Sequence, residues 1–441
     1  MRASLTTRVG LCAAALAAVT CAACDWREFD TLQNQTPVVK VAAPGGFPST
    51  SDFASLVLPV APPPDGSVAA WFLTSAMESP AVALVKVDAS GGQSAQSLQS
   101  AALDNLGANN PLTALAEIPG TGTALLGAPS LSSLVTVDLA TQEVAPFLVS
   151  AVTSSELQLG AGVAAGALTG TTAPDLAVIS TSTVHVFVDG SPAAGNDLTP
   201  APADVTACPI VLGNVPNSER ANRAMVIGAL LASGPVVAIG VPGASAPGTV
   251  VFYAVSAGAV TCAGILNAPA LASGLVNTGF GAALAIGDFD GDGLPDLLVG
   301  APPNAVHLYK GPLTLPAAPT ATIAKPASSA EFGAALAALN LDGVKGDEAL
   351  VGDPGATLNG VTGAGDVTVY TGATLAPVAK TPVLTDHSPG TGEGYGSAVA
   401  GLPFCAVAPC TASSLTPLPL VGAPAATFTY FTLGPTDPRV K

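Results

Sequence analysis

The chain has 441 residues, 49% of them hydrophobic but only 5% aromatic, with 48 glycines and 40 prolines. That length exceeds one ordinary compact core and fits two or three domains or one large repeat array, and the glycine and proline load points to short strands and tight turns rather than long helices. Charged residues make up 10% and leave a net charge of −17; so acidic a surface, without a basic patch, excludes nucleic acid as a partner and leaves cations open.

In chain order, the first element is a targeting segment. Arg2 and Arg8 precede "VGLCAAALAAVTCAAC", an apolar run too short and too Ala-rich for a spanning helix, which predicts a cleaved signal over residues 1–23. Its end is similar to a bacterial lipobox. Cys24, preceded by Ala22 and Ala23, is the expected lipidated residue, Cys21 is the alternative, and an ordinary cleaved signal without lipid is the third reading. Losing Arg2 and Arg8 would take the net charge to about −19. Residues 24–52 then read as an acylated N-terminus and tether, with Trp26 near the membrane interface.

Four cysteines remain after such processing. An even number outside the cytoplasm suits disulfides. Cys405 and Cys410, in "FCAVAPC", can close a small loop, and Cys208 with Cys262 follows by elimination. The mature chain has no CxxC pair and its three histidines are scattered, so a Cys/His metal centre is not expected.

The rest of the chain repeats. "AAWFLTSA" (69–76), "TALLGAPS" (123–130), "GALTGTTAPDLAVIS" (166–180) and "VVAIGVPG" (236–243) lead to the clearest copy, "FGAALAIGDFDGDGLPDLLVGAPPNAVHLYKG" (280–311). "FGAALAALNLDGVKGDEALVGDPGA" follows from Phe332 at an offset of 52 residues, which aligns Asp288 with Asn340, Asp290 with Asp342, Asp296 with Glu348 and Gly300 with Gly352. "PLPLVGAP" (417–424) is the last copy. Each unit holds an apolar segment, a Gly/Asp turn, a second apolar run, an alternating segment such as "AVHLYKG" or "GDVTVYTG", and a fourth stretch such as "TATIAKP" (320–326). Period-two runs between Gly and Pro turns are strands. Seven units of four strands predict an all-β fold, a seven-bladed β-propeller with four-stranded antiparallel blades over residues 53–433 and a tail at 434–441; a parallel β-helix is the runner-up.

"FG" at 280–281, "DFDGDGLPD" at 288–296 and "GAP" at 300–302 resemble the FG-GAP repeat of integrin α-chain propellers and their bacterial relatives. The resemblance implies a ring of blades, calcium held in Asp-rich loops on one face, and a role in adhesion or protein–protein contact. The residue chemistry agrees on the metal. Asp288, Asp290, Asp292 and Asp296 stand at alternating places, Gly291 and Gly293 let the chain curl back, and the Leu294 carbonyl adds an oxygen; Ca2+ wants six to eight such ligands. A solvated Asp-Gly turn held by Asx hydrogen bonds is the alternative. A weaker second metal loop keeps Asn340, Asp342 and Glu348 but has Val344 and Lys345 inside it, and the copy at 167–175 keeps only Asp175.

No nucleophile elbow, HExxH helix or phosphate-binding loop is present, so no catalytic residue is assigned. His185 and His307 fall in equivalent strands, His387 in a loop, and the tripeptide "KGD" (345–347) inside the second loop reads as coincidence. The expectation is therefore a non-enzymatic lipoprotein of the bacterial cell envelope, held to a membrane by its lipid and acting as a calcium-stabilised binding or adhesion scaffold for an unknown protein or glycan. The alternative is a polysaccharide-binding or carbohydrate-active propeller of lectin or lyase type.

Overall fold

The computed structural model describes residues 38–45, 47, 53–76, 79–107, 110–147, 158–180, 183–191, 197–210, 224–243, 245–271, 274, 276–327, 329–341, 343–372, 376–377, 383–384, 390–405, 407–411, 414–426 and 428–432. The expected signal, both candidate lipidation cysteines, Asp342, His387 and the C-terminal tail lie outside them.

The described residues build an all-β propeller of antiparallel sheets whose strands pair in chain order. The first sheet holds β2–β5 (Phe53–Val60, Ala70–Ala76, Val82–Val87, Gln93–Leu98), the second β6–β9 (Ala114–Ile118, Thr123–Ala128, Ser133–Asp138, Val144–Pro146), and the third β10–β13 (Gly162–Gly166, Asp175–Ile179, Val184–Phe187, Asp197–Leu198). The fourth holds β14–β17 (Met225–Leu231, Gly234–Val241, Thr249–Ser256, Ala259–Asn267) and the fifth β18–β21 (Ala283–Gly287, Asp296–Ala301, Ala305–Tyr309, Ala321–Ala324). Next come β22–β26 (Ala335–Leu339, Glu348–Asp353, Asp366–Thr371, Ala376–Pro377, Val383–Leu384), then β27–β29 (Ala398–Cys405, Leu415–Ala423, Phe428–Thr432), which take β1 (Val38–Ala42) as their outermost strand. The first strand of each sheet lies beside the first strand of the next, and β27 returns to β2.

Two expectations are corrected. Six sheets have the predicted four strands, but the sheet over 335–384 has five, because β25 and β26 both pair with β24. β25 ends at Pro377, a residue that cannot donate to a strand ladder, and residues 378–382 lie outside the described residues. The second correction concerns the N-terminus. The stretch read as tether contributes β1, whose "VVKVA" is paired antiparallel with β29 over five residues. A β-branched run suits a strand, and the pairing covers an edge that β29 would otherwise expose.

Position within a sheet dictates composition. The second strands β11, β19 and β23 are buried at every residue, "DLAVI", "DLLVGA" and "EALVGD", because a neighbouring sheet covers each face. The outer strands β5 and β21 are exposed at half of their residues, "QSAQSL" and "ATIA". Both expected disulfides are present. Cys208–Cys262 ties the short helix Pro202–Ala207 to β17, and Cys405–Cys410 closes a loop that docks on the first sheet, where Cys405 N–H donates to Ala69 O at 2.7 Å and Cys410 N–H to Pro64 O at 3.0 Å. Among the described residues no helix is long and apolar enough to cross a membrane.

The repeated glycines form the seam between sheets. Within a unit, the glycine after Phe or Tyr donates its N–H to the carbonyl of the glycine that begins Gly-Ala-Pro or Gly-Asp-Pro: Gly281 to Gly300 at 2.9 Å, Gly333 to Gly352 at 3.0 Å, Gly396 to Gly422 at 3.0 Å. Its own carbonyl meets the matching glycine of the preceding unit, so that Gly281 O faces Gly240, Gly333 O faces Gly300 and Gly396 O faces Gly352. Gly160 O meets Gly127 in the same way, and Ala54 O meets Gly422 where the last sheet joins the first. A side chain on the receiving glycine would overlap that oxygen. The donor glycines need a left-handed backbone as well, with φ of 88° at Gly281 and 86° at Gly333, and Ala54 adopts φ of 74° despite its Cβ. Gly300→Ala should therefore lose about 1–3 kcal/mol in chemical denaturation, as overpacking does. Gly45→Ala, with nothing within 4 Å of a new Cβ, should match the parent; equal stability of the two variants would remove the seam from the account.

Candidate functional site

The Asp-rich stretch is the hairpin loop between β18 and β19, opened by the pair Gly287 and Asp296. Its acids first shape the backbone. Asp288 Oδ2 accepts from Gly293 N–H at 2.9 Å, Asp290 Oδ1 from Asp292 N–H at 3.0 Å, and Asp292 Oδ1 from Leu294 N–H at 2.7 Å. These are side-chain-to-backbone turns of the kind Asp favours, and Gly291 and Gly293 supply the positive φ values of 73° and 91°.

The loop brings Asp288, Asp290 and Asp296 together, each offering a carboxylate oxygen within 4.8 Å of the others. Asp292 is exposed and outside this trio, and Leu294 stands at the tip, 46% exposed. Asp296 is fully buried and already engaged: Oδ2 accepts from Phe289 and Asp290 N–H at 3.0 and 3.3 Å, and Oδ1 from Gly311 N–H at 2.8 Å. Burial pushes its carboxyl up from the usual range, the backbone donors oppose this, and the Asp290 charge adds to it. Asp288 Oδ1 is buried with no hydrogen-bond partner among the described residues.

Two residues complete the site: Lys310, which the sequence did not single out, and Asp347 of the tripeptide read as coincidence. Lys310, just after β20, places its Nζ 2.9 Å from Asp290 Oδ2, and this hydrogen bond holds the Asp290 carboxyl below the usual range. Asp347, from the next sheet's loop, accepts from Asp288 N–H at 2.8 Å and returns its own N–H to Asp288 O at 2.8 Å. Burial pushes the Asp347 carboxyl up, against the pull of that N–H. The "KGD" aspartate is thus half of a clasp between adjacent loops. The sequence signal was present: Asp347 adjoins Glu348, the counterpart of Asp296.

Two other loops keep the anchor acid among the described residues, as Asp175 and Glu348. Asp175, fully buried, accepts from Leu168 and Thr169 N–H at 2.9 and 2.8 Å and from Asp189 N–H at 3.1 Å, as Asp296 does from the corresponding residues. Glu348 Oε2 accepts from Leu341 N–H at 2.8 Å. In that second loop the Asn340 amide donates inward to Val344 O and Gly346 O while its Oδ1 takes Gly343 N–H at 2.8 Å. The last carboxylate of each loop is a backbone anchor wherever it occurs. Of the histidines, His185 Nδ1 lies 3.1 Å from Asp197 Oδ1, and His307 Nδ1 lies 2.9 Å from Thr322 Oγ1. Both are buried strand residues bonded to the next strand, and burial pushes His307 down to about 4.

Residues 280–309, from the first Phe-Gly through the Asp loop to the end of β20, match the FG-GAP repeat family. The chain carries an FG-GAP repeat in a β-propeller. No curated protein matches it significantly. The FG-GAP hallmarks fall at two ends of the same strand pair: glycines at the seam, acids at the opposite loop.

A second acidic pair lies at the seam end of β23 and β24, where Asp353 and Asp366 face each other across the ladder. Burial, and then the Asp353 charge, push Asp366 up to about 7. A carboxyl raised on folding contributes stability that is complete below its unfolded pKa and lost as pH rises through the folded one. Stability should fall between about pH 4 and pH 7, and Asp366→Asn should flatten that part of the profile. Thermal unfolding from pH 4 to 8 measures this; an unchanged slope in the variant would assign the dependence elsewhere.

Proposed function

We propose that this protein is a non-enzymatic binding scaffold, a propeller whose Asp288–Asp296 loop holds calcium and whose exposed loops contact a protein or glycan. The five-stranded sheet is read as a blade with an interrupted outer strand, which gives seven blades. The observation that carries the calcium reading is the buried, unpartnered Asp288 Oδ1 beside two further carboxylates. Hard oxygen donors of this kind fit Ca2+, and like charges so close together resist ionising without a cation. Asp288, Asp290 and Asp296 would be the protein ligands, with Asp292 and the Leu294 carbonyl at the loop tip available to complete the shell.

Bound calcium supplies a fixed positive charge to the loop. The protein's part is to hold the donors: Gly293 N–H orients Asp288, and the backbone donors around Asp296 fix the far side of the loop. Rigid loops on a rigid scaffold are suited to recognition. The N-terminal segment supports anchoring by lipid at Cys24, or at Cys21, in a bacterial envelope.

Isothermal titration of EDTA-stripped protein should show calcium binding at one site, weakened at least tenfold by Asp288→Asn, and saturating calcium should raise the melting temperature. Absence of heat and of any melting shift would end the calcium reading. A pull-down from envelope extracts with and without calcium tests the scaffold role. Failure there combined with glycan-array binding would favour the polysaccharide alternative.

A further inference from the structure

We infer that Lys310 is a tethered counter-cation of the Asp288–Asp296 loop, so that a divalent cation enters by exchanging with the lysine ammonium rather than by filling a vacant charge site. The inference rests on the calcium reading and concerns how that site is regulated.

Three observations carry it. The first is position. Lys310 leaves the end of β20 beside Gly311, whose N–H is bonded to Asp296 Oδ1, and its Nζ reaches Asp290 Oδ2 at 2.9 Å. The ammonium is therefore paired with one of the three carboxylates that would ligate a metal. The second is freedom to leave. The Lys310 side chain is 38% exposed against 14% for Asp290, so it can turn into solvent without disturbing the strand or any backbone bond. A flexible four-carbon stem carrying a compact charge suits that movement.

The third is an internal comparison. Strand register aligns the three loops at their anchor acids. Leu297, next to Asp296, pairs with Tyr309; Leu176, next to Asp175, pairs with Phe187; and Ala349, next to Glu348, pairs with Tyr370. The residue after each partner is then Lys310, Val188 or Thr371. Among the described residues the lysine occurs beside the loop that gathers three carboxylates, and not beside the loop where Asp175 sits with threonines or the one where Glu348 sits with Asn340. Lys345, although its backbone lies next to Gly291, makes no ion pair among the described residues, so mere nearness to the loop does not produce the contact.

Exchange has a definite consequence. A cation must displace an ion pair as well as bind, so the lysine weakens apparent affinity while supporting the cation-free loop. Calcium titration and melting of the full chain, in EDTA and in saturating calcium, test this with Lys310→Met and Lys345→Met. Exchange predicts that Lys310→Met binds calcium about tenfold more tightly, melts lower than the parent in EDTA, and gains more on adding calcium, while Lys345→Met shifts affinity much less and leaves the EDTA melting point unchanged. Lys310→Arg, which keeps the charge, should hold affinity near the parent value. If the parent binds calcium and the two methionine variants tighten it equally, the lysine contributes only a general field and the inference is overturned while the calcium reading stands. If neither the parent nor Lys310→Met binds calcium, both fall.

Discussion

The structure depends on a backbone contact that leaves no room for a side chain. At five junctions a carbonyl oxygen of one unit meets the Cα of the preceding unit's glycine, with Gly127, Gly240, Gly300, Gly352 and Gly422 receiving it. The sheets can approach this closely only if the receiving residue has no side chain there. Phe280 and Phe332, both buried, then fill the space beside the contact, each edge-on to a tyrosine, Tyr309 or Tyr370, of its own sheet. Around these junctions the core divides into clusters that bridge neighbouring sheets; Phe280, for example, packs with Val236 and Ala238 on one side and Leu297 and Val299 on the other. Stability of such an array is built from nearest-neighbour contacts.

The opposite end of the same strands serves another purpose. With the seam fixed, the loop between the first and second strand of a unit can vary provided its last acid still gathers the backbone donors, as Asp175, Asp296 and Glu348 all do. Among the described residues, only the 288–296 loop adds two further acids close enough to share a cation. The clasp between Asp288 and Asp347 joins that loop to its neighbour, so a charge placed there acts on two adjacent sheets.

Much of this was legible in the sequence because it rests on period and spacing. The 52-residue offset located the strands of the 280–356 region, and the Gly-Ala-Pro positions located the second strand of weaker units. Cysteine parity found both disulfides. What escaped depends on contacts distant in sequence or on an interrupted pattern. "VVKVA" looked like part of a tether because its partner, β29, lies at the other end of the chain. β25 and β26 both pair with β24, a two-part outer edge that periodicity alone does not show. Lys310 reaches Asp290 only through the hairpin's return, and Asp347 reaches Asp288 only across the sheet boundary. Spacing also cannot distinguish a carboxylate that anchors backbone, as Asp296 does, from one whose oxygen is left unpartnered, as in Asp288.

The central claim is that the loop after β18 is a cation site rather than only an acidic turn. Anomalous diffraction from crystals grown with a calcium-mimicking lanthanide such as terbium tests it most directly. The account predicts a single strong peak among the Asp288, Asp290 and Asp296 carboxylates, with Lys310 turned away from Asp290. A loop free of anomalous density, with Lys310 still paired to Asp290, would contradict it.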